Sequence, residues 1–185
     1  MNSNLILKLL SDKSQLQEIY DLRVSAYENS EQSAHVNRVL YPNGWSDDLD
    51  EKKDVFHWIV MDNNKLVASA RLVVLKSLAD TDGEFEDYTS LIPLERPFVY
   101  WSRLVVHPNY RRKGIMTELD NVRKSFLSEN PHIKFALTSA VETRSKHLLN
   151  IGFEYLGDVM CDWNKISRKF CLFMYKNTNL NTTKN

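Results

Sequence analysis

The stretch from Phe98 to Ser128 constrains this chain more than any other. An apolar, β-rich run, Phe98 to His107, stops at Pro108, which cannot continue a ladder of backbone hydrogen bonds. Three consecutive cations, Arg111, Arg112 and Lys113, then lead to Gly114, after which Ile115, Met116, Leu119, Val122, Phe126 and Leu127 recur at helical spacing. The segment reads as strand, tight loop, helix. The first turn of such a helix points backbone N–H groups outward with no partner inside the helix, at the positive end of its dipole. Gly114 lets a ligand approach the main chain without a Cβ in the way, and the combination suits phosphate. The same residues also fit a solvated basic turn, the commoner meaning of a short basic run. What surrounds them decides between the two.

The basic cluster stands out because Lys plus Arg equals Asp plus Glu, 24 of each. No overall field draws the chain to nucleic acid or to an anionic membrane, so any anion site is local. A length of 185 residues, 43% hydrophobic and 26% charged, suits one folded globular domain. That domain is expected over residues 1–176, with the Asn/Thr-rich 177–185 as a disordered tail. Cys161 and Cys171 fit neither a disulfide framework nor a zinc knuckle, and the five histidines are scattered, so no metal is expected. No run approaches the roughly 20 apolar residues of a membrane-spanning helix. The short apolar stretch Leu5 to Leu10 lacks a basic leader and a cleavage site, and reads as a first strand in a cytoplasmic protein.

Around the central segment the periodicities give a mixed order of elements. Ser11 or Ser14 is placed to cap a helix carrying Leu16, Ile19, Tyr20, Leu22, Val24 and Tyr27. Asn29 to Asp54 is polar, with a turn at Tyr41 to Trp45 and an acidic run at Asp47, Asp48, Asp50 and Glu51, and is expected to form a short helix and a loop. Val55 to Met61 and Leu66 to Leu75 form a hairpin across Asp62-Asn63-Asn64-Lys65. Lys76 to Pro97 reads as a long exposed excursion. Later come a strand at Ile133 to Thr138, a helix at Thr143 to Asn150 closed by Gly152, and strands at Phe153 to Met160 and Lys169 to Tyr175. The predicted class is α+β, an α/β three-layer sandwich with a mixed central sheet flanked by helices.

The run Leu104-Val105-Val106-His107-Pro108-Asn109-Tyr110-Arg111-Arg112-Lys113-Gly114-Ile115 resembles the central signature of the GNAT acyltransferase superfamily. In that signature a strand ends at His-Pro and an Arg/Gln-x-x-Gly-x-Gly/Ala loop opens a helix. The resemblance in element order spans Asn4 to Tyr175. It implies that main-chain groups of Leu104, Val105 and Val106 bind the pantetheine arm of acetyl-CoA or another acyl-CoA like an added strand. It also implies that amides from Arg112 through Lys113, Gly114, Ile115 and Met116 to Thr117 cradle the diphosphate, with Arg111 at the Arg/Gln position. Two residues depart from the pattern: Met116 stands where the family has Gly or Ala, and Leu148 stands where many members place a Tyr that protonates the leaving thiolate.

The implied reaction passes an acyl group, acetyl in most members, to a primary amine on a small molecule or peptide. It needs a base, an oxyanion donor and a proton for the leaving sulfur. By resemblance, a bulge near Val105 would supply the donor. Along the strand, Tyr100, Ser102 and Leu104 share one side and Trp101, Arg103 and Val105 the other. Tyr100 or Ser102 is placed to relay a proton through water, although each also reads as an ordinary strand residue; Glu142 and His147 are further candidates. Leu22-Arg23 with Tyr27, Ala70-Arg71-Leu72 and Ser102-Arg103-Leu104 resemble acyl-homoserine-lactone and long-chain N-acyl amino acid synthases. Those take acyl carrier protein or fatty acyl thioesters, and their resemblance implies a substrate carboxylate held by Arg23, Arg71 or Arg103. Pairing of the arginines with the chain's own carboxylates explains the same triplets. A catalytically silent CoA-binding or interaction module, and self-association into a homodimer, are left open.

Overall fold

The computed structural model describes residues 4–28, 30, 33–81, 85, 88–163 and 166–177. In chain order its elements are β1 (Leu5–Leu9), α1 (Leu16–Ser25), β2 (Val55–Asp62), β3 (Lys65–Leu75), β4 (Phe98–Val106), α2 (Ile115–Glu129), β5 (Phe135–Ala140), α3 (Glu142–Asn150), β6 (Glu154–Trp163) and β7 (Ile166–Lys176). The strands form a seven-stranded sheet in the order β1-β2-β3-β4-β5-β7-β6. β1 and β2 are antiparallel, β4 and β5 parallel, and β7 antiparallel to both β5 and β6. The sheet is mixed and flanked by helices, as the sequence predicts.

The chain groups into two compact units, Met1–Leu72 with Arg103–Arg123 and Val73–Ser102 with Lys124–Asn185. In the first, α1 buries Leu16, Ile19, Tyr20, Leu22 and Ala26 together with Ile59, Leu66 and Val105. These positions fall three or four apart along α1, the spacing that makes one apolar face. In the second, Phe98 and Phe135 stack with centroids 5.3 Å apart, Phe85 meets Tyr100 edge-on, and Trp101 meets Phe153 edge-on. The hairpin loop between β2 and β3 has Asn63 at φ 53°, a conformation that Asn tolerates better than most residues. α3 ends as expected at Gly152, φ 97°. There the amide of Phe153 donates to Leu148 O and that of Gly152 to Leu149 O, a Schellman closure.

Several expectations change. The helix entry is capped by Asp12, not by Ser11 or Ser14: its carboxylate accepts from the Ser14 amide and starts a 3-10 turn, Lys13–Gln15, that leads into α1. A carboxylate competes well for an exposed N–H. Among the described residues of 29–54 there is no α-helix. The acidic run forms a 3-10 turn, Asp48–Glu51, with a reciprocal capping box in which Asp47 Oδ1 accepts from Leu49 N and Asp50 Oδ2 accepts from Asp47 N. The excursion 76–97 is anchored rather than exposed throughout, because Phe85, Ile92 and Thr81 are buried; Asp82 and Gly83 lie outside the described residues. β5 starts two residues later than predicted, at Phe135.

Asn177 does not belong to a disordered tail, whereas 178–185 lie outside the described residues. Its side chain donates to Leu127 O at 2.7 Å and Ile133 O at 2.9 Å, and its amide to Lys134 O at 2.7 Å. Asn177→Ala strands two buried carbonyls and is expected to lower unfolding free energy by about 3 kcal/mol, measured by urea denaturation; Asn177→Asp, which cannot donate to these carbonyls from its side chain, is expected to do no better.

Candidate functional site

The turn that opens α2 lies in the first unit. His107 N donates to Val67 O at 2.9 Å, and the His107 ring accepts from Asn109 N as the chain enters a 3-10 turn at Pro108–Tyr110. Partial burial, with Lys65 and Arg111 nearby, holds His107 below the usual imidazole value. Arg112 follows at φ 61° and Gly114 at φ 79°, with Lys113 between them outside the positive range. Alternating signs of this kind turn successive N–H groups to one side and create an anion-binding nest. The bond from Glu118 N to Gly114 O, 3.2 Å, closes the first helical turn, so the amides of Ile115, Met116 and Thr117 precede it as orphan donors. A Cβ built at Gly114 meets no atom within 4 Å, so Met116, half-buried, does not fill this space.

The three cations divide their duties. Arg111 donates from Nε to Val106 O at 3.2 Å and from Nη2 to Ala26 O at 2.6 Å, which fastens the turn to the end of β4 and to the C-terminus of α1. Lys113 Nζ stands 4.7 Å over the Tyr110 ring, whose hydroxyl donates to Asp62 Oδ2 at 2.7 Å. Arg112 and Lys113 are exposed. The turn is therefore held by Asp62, Tyr110 and Arg111, and its free positive charge comes from the next two residues.

A second assembly brings Arg23, Arg71 and Arg103 together. Arg23 grips Asp50 with two bonds, 2.6 and 2.7 Å, and reaches Trp45 O at 3.0 Å. Arg71 bonds Asp50 at 2.8 Å and both oxygens of Asp47. Arg103 donates to Asp47 Oδ2 from Nε at 2.9 Å and Nη2 at 2.6 Å, and its guanidinium lies 4.2 Å from the Trp45 ring centre. Arg23, Arg71 and Asp50 are buried to within 1%, whereas the Arg103 side chain is 24% exposed. Burial works against ionisation of both carboxylates, but the arginines overcome it and hold each below the usual carboxylate range. The arginine triplets thus meet the chain's own carboxylates. Asp47, Asp50 and Trp45 went unassigned in the sequence; the signal was the spacing Asp47-x-x-Asp50, a capping pattern beside buried arginines that need partners.

The strand residues divide between the units. Leu104, Val105 and Val106 lie in the first, Tyr100 and Ser102 in the second. Tyr100 is buried against Phe85, Ser102 is half-buried, Glu142 is exposed at the start of α3 and His147 is half-buried. Leu148 is fully buried. Arg103 sits at φ 52° inside β4, and among the described residues β4 pairs with β5 only at Val99–Ala136 and Tyr100–Leu137, ahead of that residue. The β4 backbone is therefore irregular at Arg103, two residues before the position near Val105 at which the resemblance implies a bulge. Among the described residues no group of three His, Cys, Asp or Glu side chains is placed to hold a metal, and no helix is long and apolar enough to cross a membrane.

A mixed sheet whose fourth strand runs into an amide-lined turn and a helix is the acyl-CoA N-acyltransferase architecture of the GNAT type. The model of the acetyltransferase (GNAT) family matches residues 16–153, and the chain belongs to that family. Its fold is similar to that of FeeM, an N-acyl amino acid synthase from uncultured soil microbes, with TM-score 0.68 and 8% identity over 95% of this chain and 92% of that one. The AHL synthase LasI is similar at TM-score 0.68 and 13% identity, over 96% and 92%. Arabidopsis thaliana NAA60 in complex with acetyl-CoA is similar at TM-score 0.64 and 16% identity, over 93% and 98%. These likenesses are of fold. No curated protein sequence matches the chain.

The arginine assembly makes stability depend on pH. Burial is the largest cause that pushes His57, whose Nε2 lies 3.1 Å from Asp50 O, from 6.5 down to about 4, so it is neutral in the fold. Between these values the unfolded chain takes up a proton that the folded one refuses, and stability falls as pH falls, by up to about 1.4 kcal/mol per unit. Asp47 and Asp50 add their stabilisation above the ordinary carboxylate value and lose it only at lower pH. Denaturation midpoints measured from pH 7 to 4.5 should fall in the unmodified protein and fall less steeply in His57→Gln.

Proposed function

We propose that the protein is an N-acyltransferase that moves an acyl group, acetyl in the simplest case, from acyl-CoA to a primary amine by direct attack on the thioester. The observation that carries this reading is the open, amide-lined turn at Arg112–Gly114 leading into α2. Amides from Arg112 to Thr117 hold the diphosphate, and the exposed side chains of Arg112 and Lys113 add charge without demanding fixed geometry. Main-chain groups of Leu104 and Val105 receive the pantetheine arm; Val106 O is already engaged by Arg111.

In this reading an amide just after Arg103, near Val105, meets the carbonyl oxygen as negative charge develops on it, which is where a fixed donor has most effect. The amine loses its proton to water relayed by Tyr100 or Ser102. Leu148, apolar and buried, cannot protonate the leaving sulfur, so that proton comes from solvent. A second reading, a long-chain N-acyl amino acid synthase, is favoured by the convergence of Arg23, Arg71 and Arg103 on one loop, the three positions at which the sequence resembles such enzymes.

Acetyl-CoA is expected to raise the melting temperature of the protein, and Gly114→Asp, which puts a side chain and a negative charge into the turn at a positive φ, should abolish the rise. No shift with the unmodified protein counts against the reading. Thiol release with a panel of amines, using acetyl-, octanoyl- and longer-chain CoA, separates the two: preference for acetyl supports the first, preference for long chains the second, and no release with any donor rejects both.

A further inference from the structure

Arg103 is a residue in the wrong conformation for its place. At φ 52° it lies in the left-handed region, which an L side chain occupies only at a cost, and it does so within a β-strand. Such a conformation persists where the surroundings over-determine it. Here they do. Two bonds from the guanidinium reach Asp47 Oδ2, and its face lies on the Trp45 indole.

Those two partners are themselves immobilised. Asp47 Oδ1 accepts from the Leu49 amide and from Arg71, and the Asp47 amide donates to Asp50. Trp45 N donates to Tyr20 O at 3.1 Å, and Gly44 beside it packs so closely that a Cβ there would stand 2.6 Å from the Cβ of Tyr20. A side chain clamped by a fixed loop can hold its own backbone in a strained well.

We propose that Asp47 is a positioning residue that acts through Arg103: by anchoring the guanidinium it keeps the β4 backbone irregular at residue 103, and so sets the direction of the amides of Leu104 and Val105. The inference rests on the acyltransferase reading, in which those amides meet the thioester. The strain then serves both the oxyanion contact and the seating of the pantetheine arm, whereas the diphosphate turn has anchors of its own in Asp62, Tyr110 and Arg111.

Glycine and alanine at position 103 separate this role from a role of the guanidinium itself. Both remove the charge, but glycine takes a positive φ freely and alanine does not. Arg103→Ala is expected to lower kcat about ten-fold and Arg103→Gly about three-fold or less, with KM for acyl-CoA raised more by alanine than by glycine. Asp47→Asn should lower kcat about ten-fold, and adding Arg103→Gly to it should restore part of the loss. Amide hydrogen exchange at Leu104 and Val105, faster in Arg103→Ala than in Arg103→Gly, gives a readout that needs no turnover. Equal kcat losses in the two Arg103 variants, or equal exchange, overturn the proposal and assign the role to the charge. An unmodified protein that transfers no acyl group overturns the acyltransferase reading and this inference with it, and the exchange comparison shows whether the clamp itself exists.

Discussion

Three arginines set against two aspartates hold the first unit in its shape. The alternation is linear, Arg23, Asp50, Arg71, Asp47, Arg103, and each aspartate is shared by two guanidiniums. Taking any one of these charges out of water costs several kcal/mol, and attraction repays that only where geometry is good and the remaining donors and acceptors are also met. Sharing meets most of this condition: Asp47 and Asp50 also accept backbone N–H groups and Arg23 also reaches a carbonyl, while the buried Nε of Arg23 has no hydrogen-bond partner among the described residues. The series carries one positive charge in excess. Arg103, at its end, is the most exposed of the three arginines, so water solvates the surplus where it does least harm.

This arrangement turns a polar loop into a structural element. Residues 41–51 bring few apolar side chains to the core apart from Trp45 and Leu49, yet they are fixed through the capping box, the Trp45 amide and the ion pairs. The loop joins α1, β3 and β4 through Arg23, Arg71 and Arg103. Removing Asp50 would leave buried Arg23 without a carboxylate, and removing Asp47 would leave Arg103 without one, so the loop and the conformation of β4 are tied to the same pairs.

The fold was legible where periodicity carries it. The hairpin, α2, α3 with its Gly152 closure and the strand ending at Pro108 follow from local rules of spacing and of Gly and Pro chemistry, and local rules suffice for elements whose faces are simply apolar. The acidic run carried no local sign of burial; only long-range pairing with arginines 21 and 27 positions away shows why Asp50 is buried. Asp12 is the cap because the first turn begins at Lys13: Asp12 directly precedes it, Ser11 stands one residue too early and Ser14 lies inside it. The turn at Gly114 was recognisable from residue types, but the split of duties among its cations was not. Nothing in Arg111-Arg112-Lys113 says that the first reaches back to Ala26, since that contact depends on where α1 ends in space.

Met116, the departure from the family pattern at the helix entrance, has a physical account. The amides that open this turn take their direction from the positive φ values of Arg112 and Gly114, not from the side chain two residues further on. A long side chain at 116 would obstruct only if it turned into the space beside Gly114, and that space is clear. Gly114 is different: a side chain there would stand in the open mouth of the turn, on a backbone that favours glycine. Exchange is therefore easier at Met116 than at Gly114, because only Gly114 combines a left-handed backbone with open space at the mouth of the turn.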